Sequence, residues 1–250
     1  MGEALLGGLL DAAWTPPSEI IVVEQSQSRA EELRSTWPDV EVRGDPAPAD
    51  GAILAVKPHA APAVARTLAD VGISRIVSIA AGVRTATLEA ELPAACAVIR
   101  AMPNTPALVG AGATAIAAGS GAAKNDLDWA EELLSTVGRV VRVDEDHLDA
   151  VTGLSGSGPA YVFLVAEALV EAGVLNGLDR ATSTTLAVQT LLGSATLLAE
   201  SDEDAATLRA AVTSPGGTTA AGLAVLERAG VRAALLDAVT AATRRSAELG

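Results

Sequence analysis

Glu19-Ile20-Ile21-Val22-Val23-Glu24 is a short β-branched run flanked by acids, and it follows Met1-Gly2-Glu3-Ala4-Leu5-Leu6, which reads as the start of a helix. A helix opened by glycine and followed by a strand ending in an acid matches the middle of a dinucleotide-binding βαβ unit. There the third fingerprint glycine opens the first helix, and an acid about 20 residues later reaches the ribose. Glu24 lies 22 positions after Gly2. The spacing makes Gly2 a candidate cofactor contact, while an ordinary helix start remains the alternative.

Working outward, similar runs at 51–56, 75–80 and 97–100 read as further strands, with 114–117 and 139–143 as two edge strands. Ala- and Leu-rich stretches at 28–37, 60–71 and 124–137 have the length of crossover helices, so the pattern predicts a parallel sheet. From Asp146 onward strand signals vanish, and 160–171, 180–199, 204–212, 219–229 and 232–249 read as helices. The fold class is α/β: a Rossmann-like domain over 1–145 and an all-helical domain over 146–250. Residues 160–171 are apolar nearly all round, broken only by Glu167 and Glu171, which predicts a buried helix and a core shared between subunits.

Half of the 250 residues are hydrophobic but only 2% are aromatic, so Ala, Val, Leu and Ile must fill the core. A net charge of -14 argues against a nucleic-acid partner, because a phosphate backbone would be repelled. Cys96 is the only cysteine, which excludes an intramolecular disulfide and a Cys-rich metal site. His59 and His147 are the only imidazoles and neither adjoins a nucleophile, so no metal centre or Ser/His/Asp triad is expected. The uncharged runs at 101–123 and 181–199 are interrupted by Pro and Gly or by Thr, Ser and Gln. Without a signal-like start, the chain reads as soluble and cytoplasmic.

Several segments can carry chemistry. After the strand at 19–24, Ser26, Ser28 and Arg29 suit a 2′-phosphate and Glu24 opposes one; the local alternative is a helix cap at Ser28. Lys57, in Ala55-Val56-Lys57-Pro58, is a cation at a strand's C-terminal end, where ligands of open α/β sheets bind. Ser78-Ile79-Ala80-Ala81-Gly82 is a similar exit whose small residues admit a flat ring. In Arg100-Ala101-Met102-Pro103-Asn104-Thr105-Pro106, Asn104 and Thr105 either orient a ligand amide or satisfy the turn. Gly216 and Gly217, in Thr213-Ser214-Pro215-Gly216-Gly217-Thr218-Thr219, let main-chain N–H groups converge on an anion. Thr218 and Thr219 add hydroxyls at a helix start, and a carboxylate fits such a nest. Glu145 and Asp146 are either solvated or face a cationic nitrogen.

Taken with Leu154-Ser155-Gly156-Ser157-Gly158-Pro159-Ala160-Tyr161 and the full stretch 208–223, these segments resemble pyrroline-5-carboxylate reductases from end to end. The resemblance implies an N-terminal NAD(P)-binding Rossmann domain and a C-terminal helical domain that interlocks with a second copy, in homodimers that can assemble into decamers. It implies hydride transfer from NADPH, or from NADH, to the C=N carbon of 1-pyrroline-5-carboxylate, giving L-proline. It assigns Ala55, Val56, Lys57, Pro58, Ile79, Ala80 and Ala81 to the cofactor, with Ser26 and Arg29 at the adenosine end and Asn104 near the nicotinamide. Ser214, Gly216, Gly217, Thr218 and Thr219 hold the substrate carboxylate, Glu145 is a further substrate candidate, and Thr219 assists proton delivery. The departure is at the start, where the family has a strand and a Gly-x-Gly before the position of Gly2. A start codon assigned too far downstream is one explanation, and loss of the sheet's central strand is the other. Alternatives in activity are a reductase of another small imine or 2-hydroxy acid, and an inactive oligomeric homologue.

Overall fold

Leu5, Leu6 and Leu9 fall on one side of the first helix, α1 (Gly2–Asp11), and all three are buried. The computed structural model describes residues 1–250, in two units: Met1–Ser157 with Ala241–Gly250, and Gly158–Thr240. In the first unit α1 leads to β1 (Ile21–Val23), α2 (Gln27–Thr36) and β2 (Glu41–Arg43). Then follow β3 (Ala52–Leu54), α3 (Ala61–Asp70), β4 (Arg75–Ser78), α4 (Thr85–Glu89), β5 (Ala97–Met102), β6 (Gly112–Ala118), α5 (Lys124–Ser135) and β7 (Gly138–Arg142).

The strands form two separate sheets: β1 pairs only with β2, and the other five run in the order β3-β4-β5-β6-β7. Period-two alternation sends neighbouring residues of β4 and β5 to opposite faces. Val77 and Ile99 join Leu5, Leu9, Leu133 and Leu134 on one side, while Ile76 and Val98 join Leu54, Ala65 and Leu68 on the other. A sheet covered on both faces is expected of parallel strands. Leu148, in the short helix α6 (Leu148–Val151), packs on Ala115 and Ala117 of β6.

Three features differ from the sequence reading. The strand β6 is interior and antiparallel to β5, with Ile99 opposite Ala118, so it is not an edge. The connection from Met102 to Gly112 is too short for a parallel crossover, which needs about a dozen residues or more, and the chain reverses through Gly110 at φ +70°. Second, β2 and α4 carry no strong pattern: β2 buries one residue, Val42, between exposed Glu41 and half-buried Arg43. Third, α2 is capped by Ser26 rather than Ser28; its side chain accepts from the Arg29 amide at 3.5 Å.

The expected boundary at 145 also falls inside the first unit, because residues up to Ser157 cluster with the sheet. The last turn of the chain belongs there too. The Ser246 hydroxyl donates to Asp149 at 2.7 Å, and the main chain at Gly250 lies against Gly82, which has φ +75°.

The second unit contains most of α7 to α11: α7 (Gly158–Leu175), α8 (Arg180–Glu200), α9 (Ala205–Ala211), α10 (Thr218–Arg228) and α11 (Val231–Leu249), which ends in the first unit. The helices α7 and α8 are joined by a tight turn through Gly177 at φ +96°, and Asp179 caps α8 by accepting from the Thr182 amide at 2.9 Å. They approach closely at Gly173, where a Cβ would lie 2.7 Å from the Ser183 hydroxyl. The sequence predicts a buried α7, yet in the single chain Phe163 is 63% exposed and Leu164 65%. Residues Glu145–Leu175 are also long and apolar enough to cross a membrane, a stretch outside the two uncharged runs weighed above.

At Gly8 of α1 a Cβ would sit 2.1 Å from Val137 Cγ1 and 3.3 Å from the Thr136 carbonyl oxygen. Replacing Gly8 with Ala therefore forces α1 outward, and overpacking of this kind costs roughly 1–3 kcal/mol. Urea unfolding of G8A should show a lower midpoint at unchanged slope; an unchanged midpoint would mean that α1 is not held at this contact.

Candidate active site

Four segments of the first unit meet around the N-terminus of α1. A Cβ on Gly2 would lie 3.1 Å from the Cβ of Ala55, so glycine lets the helix start sit close beside the end of β3. No side chain caps α1, and its first amides lack the usual intrahelical partners. The Ile79 amide donates to the Leu54 carbonyl at 3.1 Å, which ties the exit of β4 to that of β3. That single bond brings Ala55, Val56, Lys57 and Pro58 together with Ile79, Ala80 and Ala81. Ala80 is buried, while Ala55, Lys57, Pro58 and Ala81 are exposed.

At the other side of α1 stand the residues after β1. Glu24 accepts from the Ser26 amide at 2.8 Å, and the hydroxyls of Ser26 and Ser28 are 3.1 Å apart. Arg29 reaches back to Glu3 of α1 and forward to Glu32 at 2.6 Å. Its guanidinium is held above its already high ordinary pKa, first by the Glu32 hydrogen bond and then by the field of Glu3, so it stays cationic.

For Asn104 the structure realises the turn-satisfying alternative, and Glu145 faces a cation of the chain itself, the Arg100 guanidinium. The Asn104 carboxamide accepts from the Ala113 amide at 2.8 Å and donates to the Ser155 carbonyl at 3.0 Å. Both polar ends are satisfied by main chain, so any effect on a ligand runs through the position of this turn. Glu145 accepts from the Thr85 amide and the Thr85 hydroxyl, both at 2.8 Å, and from Arg100 at 3.3 Å. It thereby caps α4 and neutralises a nearly buried guanidinium. Thr85 and Arg100 were not singled out as site residues; Arg100 lay inside a quoted motif, but only its partner across 45 positions reveals what it does.

Ser214 to Thr219 lie in the second unit. Gly216 has φ +71°, the left-handed region that glycine adopts without strain. The Gly217 amide donates to the Ser214 carbonyl at 3.0 Å, and a Cβ on Gly217 would sit 2.4 Å from the Ser214 hydroxyl oxygen. Gly217 is the N-cap of α10 and offers no capping side chain, so the first amides of the helix stay available beside the hydroxyls of Thr218 and Thr219. Such an end of an 11-residue helix attracts a carboxylate.

Residues 145–249 match the family model for pyrroline-5-carboxylate reductase dimerisation, and residues 1–82 match that for NADP oxidoreductases, coenzyme F420-dependent. A pyrroline-5-carboxylate reductase of Synechocystis is 48% identical over all of this chain and 95% of its own length. One from Mycobacterium tuberculosis is 43% identical, again over all of this chain and 93% of its own. Among solved structures, the pyrroline-5-carboxylate reductase of Coxiella burnetii superposes with a TM-score of 0.94 at 37% identity, covering 100% of this chain and 94% of that one. That of Plasmodium falciparum, solved with NADP bound, gives 0.86 at 29% identity, with the same coverage. A Rossmann-like half, a helical half with an exposed apolar face, and full-length likeness on both place the chain in the pyrroline-5-carboxylate reductase family, NADP-dependent oxidoreductases acting on a C=N bond.

Proposed function

We propose that the chain reduces 1-pyrroline-5-carboxylate to L-proline with NADPH, the last step of proline biosynthesis, in the cytoplasm and as a homodimer able to assemble into larger rings. We divide the labour at residue 145: residues 1–145 serve the cofactor, and residues 146–250 serve the substrate and the subunit contact. The observation that carries the reading is the Ser214–Thr219 turn, whose left-handed Gly216 and side-chain-free Gly217 leave main-chain donors for a carboxylate.

The residues present fit the dinucleotide. Gly2, packed close against Ala55, lets a pyrophosphate approach the amides of α1. Ser26 and Arg29 attend the adenosine ribose, Lys57 adds a cation at the end of β3, and Ala55, Val56, Pro58, Ile79, Ala80 and Ala81 give a smooth wall. Asn104 sets the turn beside the nicotinamide. Bound NADPH supplies the hydride.

The chain's own part is positioning. A cyclic imine is basic enough to be protonated near neutral pH, so no strong acid is required once its carbon is correctly held. The amides of Thr218 and Thr219 fix the ring through its carboxylate, and the Thr219 hydroxyl holds the proton at the ring nitrogen as the C–H bond forms. Glu145, the further substrate candidate, also keeps Arg100 and α4 in place and so shapes the region.

The exposed apolar helix α7 supports a subunit contact. Phe163, Leu164 and Leu175 stand open in the single chain, and a patch of this kind is rare on a monomer. The dimerisation match over 145–249 favours a second copy rather than lipid as the cover for the stretch 145–175. A second reading, an oligomer that holds dinucleotide poorly, is favoured by the separation of β1 and β3 into two sheets, since central parallel strands normally cradle the pyrophosphate.

Replacing Gly217 with Val should raise the imine KM about tenfold or more while NADPH affinity holds; equal loss of both would make the loop structural. Sedimentation of the full chain should give a dimer or larger, and Phe163→Asp should shift it towards monomer. A monomeric parent chain would refute the subunit contact. Calorimetric titration with NADPH separates the two activity readings: saturable binding in the roughly 1 µM to 1 mM range favours the reductase, and no binding favours the inactive oligomer.

A further inference from the structure

The contact between Glu3 and Arg29 joins two elements that sequence alone treats separately: the first turn of α1 and the first turn of α2. Arg29 bridges this pair of helix starts, and it has two carboxylate partners, Glu3 and Glu32. All three side chains are well exposed, at 39%, 49% and 63%. Exposed ion pairs are individually weak, and they exchange readily for a better anion. A 2′-phosphate carries close to two negative charges and can take a guanidinium in bidentate fashion, so it is such an anion.

We infer that Glu3 and Glu32 are specificity-determining residues which compete with the 2′-phosphate for Arg29 and so restrain the preference for NADPH over NADH. The inference rests on the cofactor reading above and adds to it the identity of the groups that set the selectivity. Glu24, at the end of β1, already accepts from the Ser26 amide, so its charge is fixed close to the same ribose. Two carboxylates therefore hold the one guanidinium, and a third, Glu24, is tied to the Ser26 amide that precedes it. A phosphate arriving there must displace Glu3 and Glu32 from Arg29, whereas the ribose diol of NADH need not disturb them.

The two competitors differ in what else they touch. Glu3 directly follows Gly2, so its charge also opposes the pyrophosphate, which is common to both dinucleotides. Glu32 lies on α2 and meets Arg29 at 2.6 Å. Neutralising Glu3 should therefore improve both nucleotides but NADPH more, while neutralising Glu32 should act on NADPH alone. Glu31, which accepts from Gln27 at 3.2 Å and not from Arg29, makes a charge-matched control on the same helix.

The experiment measures dissociation constants of NADPH and NADH by titration calorimetry, without substrate, for the parent chain and for E3Q, E32Q and E31Q at low and high salt. The expected result is a rise of about three- to tenfold in the NADPH-to-NADH affinity ratio for E3Q and E32Q, none for E31Q, and a smaller rise at high salt. An unchanged ratio in E3Q and E32Q, or the same rise in E31Q, would overturn the inference while leaving the cofactor reading intact. Binding of neither nucleotide to any of the four proteins would sink the cofactor reading and the inference with it.

Discussion

The burial of Leu5, Leu6 and Leu9 fixes where α1 begins, and much of the first unit is arranged around that placement. Each leucine removed from water stabilises the docked helix by about 1.5–3 kcal/mol, enough to hold a short helix that would be marginal by itself. The approach is close because glycines stand at both contacts. Gly8 lets the helix lie on Val137 and Thr136, and Gly2 lets its first turn meet Ala55. Once α1 is set, the ends of β1 and β3 and the first turn of α2 acquire a common neighbour, which is how a mainly aliphatic sheet comes to present amides and one arginine at the same place.

The helical unit obeys a different economy. It has little aromatic surface and buries few of its large side chains, because α7 is apolar on too many sides for four companion helices to cover. The small residues that bring α7 and α8 together at Gly173 and Ser183 close one side of α7 and leave Phe163 and Leu164 open. Polar capping contributes order where packing does not. Asp179 and Asp204 are held below the usual carboxylate range, chiefly by their bonds to Thr182 and Thr207. Depressed values mean that this stabilisation is present above the unfolded carboxylate pKa of about 3.9 and lost as pH falls through the lower folded value.

Much of this was legible in the sequence. The β-branched runs at 19–24, 51–56, 75–80 and 97–100 are strands, and the change of composition after residue 145 announces the helices, because both follow from local periodicity and burial. The direction of β6 was less legible, since it depends on the length of a connection rather than on the strand's own residues. β2 escaped notice because a three-residue strand with one buried valine has no period to detect. In the site, the glycines at 2, 216 and 217 were readable from the absence of a side chain. The Arg100–Glu145–Thr85 cluster was not, because its members are 45 and 60 positions apart and only the folded chain introduces them.

The return of the chain to its first unit has a consequence for how the protein is made. Residues 241–250 complete a unit that starts at Met1, and Ser246 reaches Asp149 only after the whole helical segment between them has been synthesised. Domains ordinarily fold as they leave the ribosome, N-terminal part first. Here the sheet unit emerges early but keeps an unclosed site beside Gly82 and Asp149 until the final turn arrives. The bond between Ser246 and Asp149, 97 positions apart, is therefore among the last to form, because so long a loop must close before the contact rewards it.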